Sequence, residues 1–378
     1  MFSAKALAAS SLSLALVAAG FNTTAAISAA ALHFGPRTAI SGLHSNDALA
    51  SARQGGTWRL VIRSLDGKSF RQIPLTGESN RFPIWSPDGK SLAFAVREKG
   101  RMVLAVVERE GTTPRVFQDA VTAGGRSFLW SPDSQSIGFL DPQRHRFQLL
   151  NVASGTVRTI VEDSGAQIGN WIWRPDGRSI AAVMTNPGSV AGLQGLRRRV
   201  DEITLDGKQR SLLEHTTLEG APGVSFIDAY NIFVRYDSSA DRFSLTGGTR
   251  QRLADLPDSV RPSTGVHATA GSGMWAGLIS ASDAGPGKVE FISSRTGERR
   301  LVDVPFRFPE ASPAWTPDGR ELIVIGATPG QEEGLTLSRV PVDGGAPIVI
   351  ASTGENTDGW TSVSPDGALV AYAIFAGR

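Results

Sequence analysis

The 378-residue sequence contains no cysteine. Disulfides and thiolate chemistry are excluded, and so is a lipid carried on an N-terminal cysteine. A large excess of charge of one sign is also missing. The net charge of +2 at pH 7 gives no strong long-range field, and nucleic acid is not an expected partner. Only "LRRRVDE" (196–202) concentrates positive charge, and acids follow it at once, which reads as a solvated hairpin. Beyond the first thirty-odd residues no apolar run approaches the roughly 20 residues that a membrane span needs. There is no G-x-S-x-G, H-E-x-x-H, EF-hand loop or P-loop. From these absences the sequence leads to the expectation of a chain that is not an enzyme and uses neither cofactor nor metal.

The N-terminus begins "MFSAKALAASSLSLALVAAGF", with Lys5 ahead of an Ala-, Leu- and Val-rich run and small residues after it. That order is the n-region, h-region and cleavage zone of a secretory signal. Residues 1–31 are expected to be a signal peptide, cut between Ala19 and Ala31, with 32–56 an N-terminal extension. The protein would then be free in the periplasm or the medium. A hydrophobic content of 41% is ample for a buried core in the remainder.

The remainder repeats. "FPIWSPDGKSLAFAV" (82–96) recurs as "SFLWSPDSQSIGFL", "NWIWRPDGRSIAAV", "SPAWTPDGRELIVI" and "WTSVSPDGALVAYAI". The tryptophan register falls at Trp85, Trp130, Trp173 and Trp315, with Val363 replacing it in the last copy. Two worn copies fill the gap between 173 and 315, with registers at Ser225 and His267. A second turn signal recurs at Gly67, Gly111, Gly155, Gly207, Gly247, Gly297 and Gly344, each 18 to 20 residues before the next register mark. Two unrelated signals in step seven times define seven repeats. Each reads as four short strands, a to d, rich in β-branched and apolar residues and bounded by Gly, Pro, Asp and Asn. The fold is therefore expected to be all-β, a seven-bladed β-propeller over 57–378. Its last blade is expected to be closed by strands from both termini, because "TWRLVIRSLDGKSFRQIPL" (57–75) supplies a c–d pair and the chain ends on an a–b pair.

Within each repeat Ser-Pro-Asp-Gly fits a type I turn followed by a left-handed glycine, a tight hairpin connection. Asp88, Gly89, Asp133, Asp176, Asp318 and Asp366 are accordingly assigned to turns rather than to catalysis. The tryptophans are assigned to packing, at roughly 2–3 kcal/mol of apolar burial each. Ser134 stands where the other copies have glycine, so Ser134→Gly is expected to stabilise slightly.

The stretches "WSPDGKSLAF", "WRPDGRSIA" and "WTPDGRELIV" resemble the repeat of the TolB-like propellers, the PD40 or WD40-like repeat, over about residues 57–378. The resemblance implies an exported binding propeller. TolB itself is periplasmic, and its propeller docks a lipoprotein while an N-terminal α/β domain precedes it. The 25 residues at 32–56 are too few for that domain, and seven repeats stand where TolB has six. In architecture the chain also resembles oligogalacturonate lyases, seven-bladed proteins with a metal held by histidines. That resemblance would enlist His145, His215 and His267, although no paired spacing argues for it.

Propeller geometry puts the d–a and b–c connections on one rim. Arg81, Arg126, Asn170 and Trp360 sit where a d–a connection enters strand a, and are the candidate binding residues at the channel mouth. A rim side chain is more often only a solvated one. The b–c connection 185–198 is the longest and could overhang the mouth. The function expected is a monomeric scaffold that binds another envelope or extracellular protein or peptide. A polysaccharide-acting lyase or hydrolase and a ligand-sensing or structural module are the alternatives.

Overall fold

Short runs of β-branched and apolar residues, punctuated by turn formers, make strands that pair with their neighbours in sequence. The computed structural model describes residues 57–186, 197–214, 223–235, 239–255, 264–267, 274–280, 286–293, 296–306, 313–327, 335–353 and 357–376. The expected signal peptide and extension lie outside these residues. Those described form seven four-stranded antiparallel sheets, the blades of a seven-bladed β-propeller.

Blade 1 runs Ser79–Trp85, Ser91–Glu98, Arg101–Glu108, Arg115–Val121, and blade 2 Phe128–Trp130, Ser136–Leu140, Arg146–Asn151, Val157–Glu162. Blade 3 runs Gln167–Trp173, Ser179–Asn186, Arg197–Thr204, Gln209–Leu213, and blade 4 Gly223–Asp228, Asn231–Arg235, Ser239–Ser244, Arg250–Asp255. Blade 5 runs Thr264–His267, Met274–Ser280, Gly287–Ser293, Arg299–Val304, and blade 6 Ala314–Trp315, Glu321–Ala327, Leu335–Pro341, Ile348–Thr353. Blade 7 joins Thr357–Val363 and Leu369–Ala376 to Thr57–Ser64 and Phe70–Gln72. Thr57 pairs with Ala376 and Ser64 with Leu369, so eight residues of each terminal strand hold the closure.

The core lies between blades. Trp85, Leu92 and Phe94 of blade 1 pack with Leu60, Ile62, Ala371 and Ala373 of blade 7. Trp130 and Ile137 of blade 2 pack with Ala93, Ala95 and Leu104 of blade 1. Trp315 and Leu322 of blade 6 pack with Ala276, Leu278 and Phe291 of blade 5. In blades 2 and 3 the indole also makes a polar link to the preceding blade, whereas the Nε1 atoms of Trp85 and Trp315 are buried without a partner. Trp130 Nε1 donates to Ile84 O at 3.1 Å and Trp173 Nε1 to Leu129 O at 3.3 Å, each reaching the innermost strand of the preceding blade.

The described hairpins from strand a to strand b are closed by their own side chains. Ser86, Ser131, Thr316 and Ser364 donate their hydroxyls to Asp88, Asp133, Asp318 and Asp366, each at 2.6 Å. The same carboxylates accept the N–H two residues on, and Asp176 does so from Arg178 at 3.0 Å. The residue after the Asp is left-handed at Gly89, Gly177, Gly319 and Gly367, with φ from 66° to 70°, and at Ser134 with φ 62°.

Blade 4 shifts the register expected from spacing. Asp228 pairs with Asn231, so only Ala229 and Tyr230 turn the hairpin. The connection is one residue shorter, and Phe226 opposite Ile232 takes the tryptophan's place instead of Ser225. Asp228 keeps the turn role, accepting Tyr230 N–H at 2.7 Å.

Candidate functional site

The face built by the d–a and b–c connections is shaped by irregularities of the innermost strands. Register shifts fall between Arg81 and Ile84, Ile168 and Trp171, and Thr357 and Thr361. A β-bulge leaves residues out of the ladder and re-aims their side chains, and bulges concentrate beside functional sites. Arg81, Asn170 and Trp360 each lie in or next to one of these bulges.

Phe82 is the most strained residue of the face, with φ 58° in front of Pro83. A bulky side chain is a rare occupant of the left-handed region, and a following proline restricts the backbone further. Packing on several sides holds it there. Its ring meets Trp360 edge-on at 5.2 Å, and Arg81 lies 4.5 Å from its centroid. Arg81 also covers the Trp58 ring at 4.8 Å, and Trp58 packs on Phe375 at 5.1 Å. The backbone of blade 2 closes the cluster. A Cβ on Gly124 would come within a tight 3.1 Å of Phe82, and both Gly124 and Gly125, which faces Trp360, hold positive φ (73° and 59°) that favours glycine. The 3-10 turn Gly125–Ser127 then carries Arg126 at the backbone level; its side chain is outside the described residues.

Three of the four candidates thus belong to one neighbourhood at the junction of blades 7, 1 and 2. Arg81 is buried, 6% exposed, and supports the aromatic rings from beneath. Trp360 is half-buried and Asn170 is exposed, on blade 3.

The b–c turn of blade 2 presents a residue that sequence reasoning passed over. Asp141, itself buried, accepts the N–H groups of His145 and Arg146 at 2.9 Å each, and its carbonyl accepts Arg144 N–H at 2.9 Å. Arg144 is fixed in the left-handed region, φ 61°, and its carbonyl accepts Ile168 N–H of the neighbouring innermost strand. The side chain is half-buried, and burial pulls its guanidinium pKa below the usual value with no compensating carboxylate among the described residues. Strain in a non-glycine residue at a cleft is a pointer to function. No sequence pattern marks Arg144, because its conformation is imposed by Asp141 and by a strand from another blade.

Of the three histidines that the lyase resemblance enlists, His145 alone lies with its side chain among the described residues. His145 Nδ1 lies 2.9 Å from Asp163 O and 3.0 Å from Ala166 O, tied to backbone carbonyls. His267 ends strand a of blade 5, with its side chain outside the described residues, as are His215 and most of the 185–198 connection. Among the described residues no group of three His, Asp or Glu is placed to hold a metal.

No family model matches the chain, and no curated protein sequence does. Solved structures share the architecture. An oligogalacturonate lyase in complex with manganese superposes with a TM-score of 0.61 at 12% identity, over 78% of this chain and 89% of its own. The oligogalacturonate lyase of Vibrio parahaemolyticus gives 0.61 at 11% identity, over 84% and 97%. A TolB-type protein of Agrobacterium tumefaciens gives 0.50 at 14% identity, over 86% and 100%. These likenesses establish a class, the seven-bladed propeller, and at such identities establish the fold alone. They also correct one expectation. The inference that the chain is not an enzyme does not stand, because lyases are built on this scaffold and the missing motifs belong to other catalytic folds.

Proposed function

We propose that the chain is an exported propeller that binds an extended acidic ligand, a polypeptide segment of a partner protein, across the rim of blades 7, 1, 2 and 3. The observation that carries this reading is Arg144. A strained, desolvated guanidinium without a carboxylate partner among the described residues is a recognition element for an incoming carboxylate. Trp360, held edge-on by Phe82 and half-buried, supplies a rigid aromatic surface on the same rim. Export rests on the apolar N-terminal segment, and mass spectrometry of the mature N-terminus should place it between Ala19 and Ala31.

Arg144→Gly separates a binding role from a solvated one. Glycine relieves the left-handed strain, so thermal stability should rise, by about 1 kcal/mol. Affinity for partners captured from envelope extract, or for acidic peptides, should fall about ten-fold or more. An unchanged affinity in Arg144→Gly and in Trp360→Ala would remove this rim from consideration.

A second reading is favoured by the lyase-like architecture: the acidic ligand is a polyuronate, bound and cleaved. Incubation with oligogalacturonate, with and without manganese, decides it through the appearance of unsaturated products.

A further inference from the structure

The outermost strand of each blade is a sheet edge, and such an edge attracts other chains unless charge or covering guards it. In six blades charge is present. The strands Arg115–Val121, Val157–Glu162, Gln209–Leu213, Arg250–Asp255, Arg299–Val304 and Phe70–Gln72 each contain at least one arginine. At four seams that arginine also clamps the c–d turn of the next blade. Arg71 Nη1 donates to Gly111 O at 3.0 Å and Arg115 Nη1 to Val152 O at 2.7 Å. Arg158 Nη1 donates to Leu205 O at 3.1 Å and Arg300 Nη1 to Val342 O at 2.9 Å.

Blade 6 departs from this pattern. Its outermost strand, Ile348–Thr353, reads "IVIAST" and carries no charge. Ile348 stands four residues after the turn glycine Gly344, as Arg71 does after Gly67 and Arg115 after Gly111. The seam with blade 7 is closed without the arginine, because Gly67 of the blade 7 turn lies directly against the Ile350 carbonyl and Arg63 Nη1 of blade 7 reaches Gly67 O at 3.5 Å. Ile348 is left 46% exposed and Val349 59%. A third apolar side chain, Phe70, is 60% exposed at the same seam. It pairs with Arg63, whose guanidinium lies 4.7 Å from its ring centroid and whose Nε donates to Tyr372 Oη at 3.1 Å. Tyr372 packs with Leu335 and Leu337 of blade 6, so Phe70 is on the face of blade 7 turned to blade 6. Ile348 pairs with Arg339, on the face of blade 6 that carries Leu335 and Leu337 towards blade 7. The two side chains flank the outer mouth of one seam, with Val349 beside them on the strand.

We propose that this apolar strip joins two copies of the chain about a twofold axis parallel to the axis of the ring, giving a dimer in place of the monomer expected from the sequence. Such an axis sets blade 6 of each copy against blade 7 of the other, so Phe70 covers Ile348 and Val349 across the contact. A second copy suits the strip because an uncharged strip is complementary to itself, whereas a contact through any of the other six strands would bury an arginine. The charges at the margin agree. Asp343 in the blade 6 turn and Lys68 in the blade 7 turn, which also bridges Asp66 at 3.3 Å, are both exposed and are brought to the same level across the axis. The contact lies on the outer wall and is independent of the rim and of the function proposed above.

Sedimentation velocity of the full chain over a concentration series tests the proposal, with a reversible dimer expected. Ile348→Arg restores the residue type that other blades carry and should leave the melting curve intact while weakening association at least about ten-fold. Phe70→Ser, at an exposed side chain, should weaken association likewise, and decides the matter should Ile348→Arg fold poorly. Because the chain has no cysteine, introduced cysteines report the geometry. A mixture of Phe70→Cys and Val349→Cys proteins should be joined by a short bismaleimide, while Gln118→Cys on blade 1 mixed with Val349→Cys should not. The proposal is overturned if the parent sediments as a monomer at every concentration, if the substituted chains associate as the parent does, or if the control pair is joined as readily.

Discussion

Ser134 shows how one residue can belong to two blades. Its left-handed φ of 62° costs about 1 kcal/mol for a non-glycine residue. Its hydroxyl, however, accepts the Asp88 N–H of blade 1 at 3.0 Å, a bond between neighbouring hairpins worth about 0.5–1.5 kcal/mol. The expected gain from Ser134→Gly is therefore offset, and its melting temperature should sit near that of the parent. Ser134→Ala keeps the strain and loses the bond, so it should melt lower than both; equal melting of Ser134→Ala and the parent would refute the inter-blade bond. Asp366 makes a parallel case for charge. The Ser364 hydroxyl holds its carboxyl at about 2 against the usual 3.8, helped by Ala368 N–H and Arg109 and opposed by burial. Because the folded value is the lower one, the stabilisation is present above pH 3.8 and is lost as pH falls towards 2. Acid unfolding followed by tryptophan fluorescence should move to higher pH in Ser364→Ala.

Among the elements, the innermost strand carries both the structural bond and the functional irregularity. At its hairpin end the indole of Trp130 reaches back to Ile84 O, so Trp130→Phe should keep the packing and lose about 1 kcal/mol in a denaturant titration. Blades 1 and 6 do not make this link, with Trp85 and Trp315 Nε1 unpaired, and blade 4 has no donor at Phe226; the blade 3–blade 4 seam is closed by Val200, Phe226 and Phe243 and by Arg174 on Tyr230. At its other end the same strand bulges in blades 1, 3 and 7, where regular pairing would have turned Arg81, Asn170 and Trp360 into ordinary ladder positions.

For the molecule as a whole, closure of blade 7 joins the first described strand to the last. The eight-residue pairing of Thr57–Ser64 with Leu369–Ala376 leaves no blade with an unpaired inner flank. Removal of residues 57–72 should therefore weaken the entire ring rather than one blade, replacing a single cooperative thermal transition with an early, broad one. Removal of 1–56 is the matched control and should leave the transition in place. A sharp parental melt in the 57–72 deletion would show that the blades are stabilised individually.

The repeat was legible in the residues themselves. Trp85, Asp88 and Gly89 and their counterparts form local hairpins whose partners lie within five or six positions, and the spacing of two turn signals sets seven blades and a closure shared by the termini. Local hydrogen bonding is sufficient for that much. The faces were not legible, because their residues are defined by neighbours far away in the chain. Phe82 is strained by Trp360 and by the backbone at Gly124; Arg144 is set by Asp141 and Ile168; Arg174 and Tyr230 meet only when blade 3 stands beside blade 4. The sequence alone determined the blade and its count, since each blade is built from consecutive residues. Which side chains converge on either face was decided only by the ring, since closing it brings residues nearly 300 positions apart, such as Phe82 and Trp360, into contact.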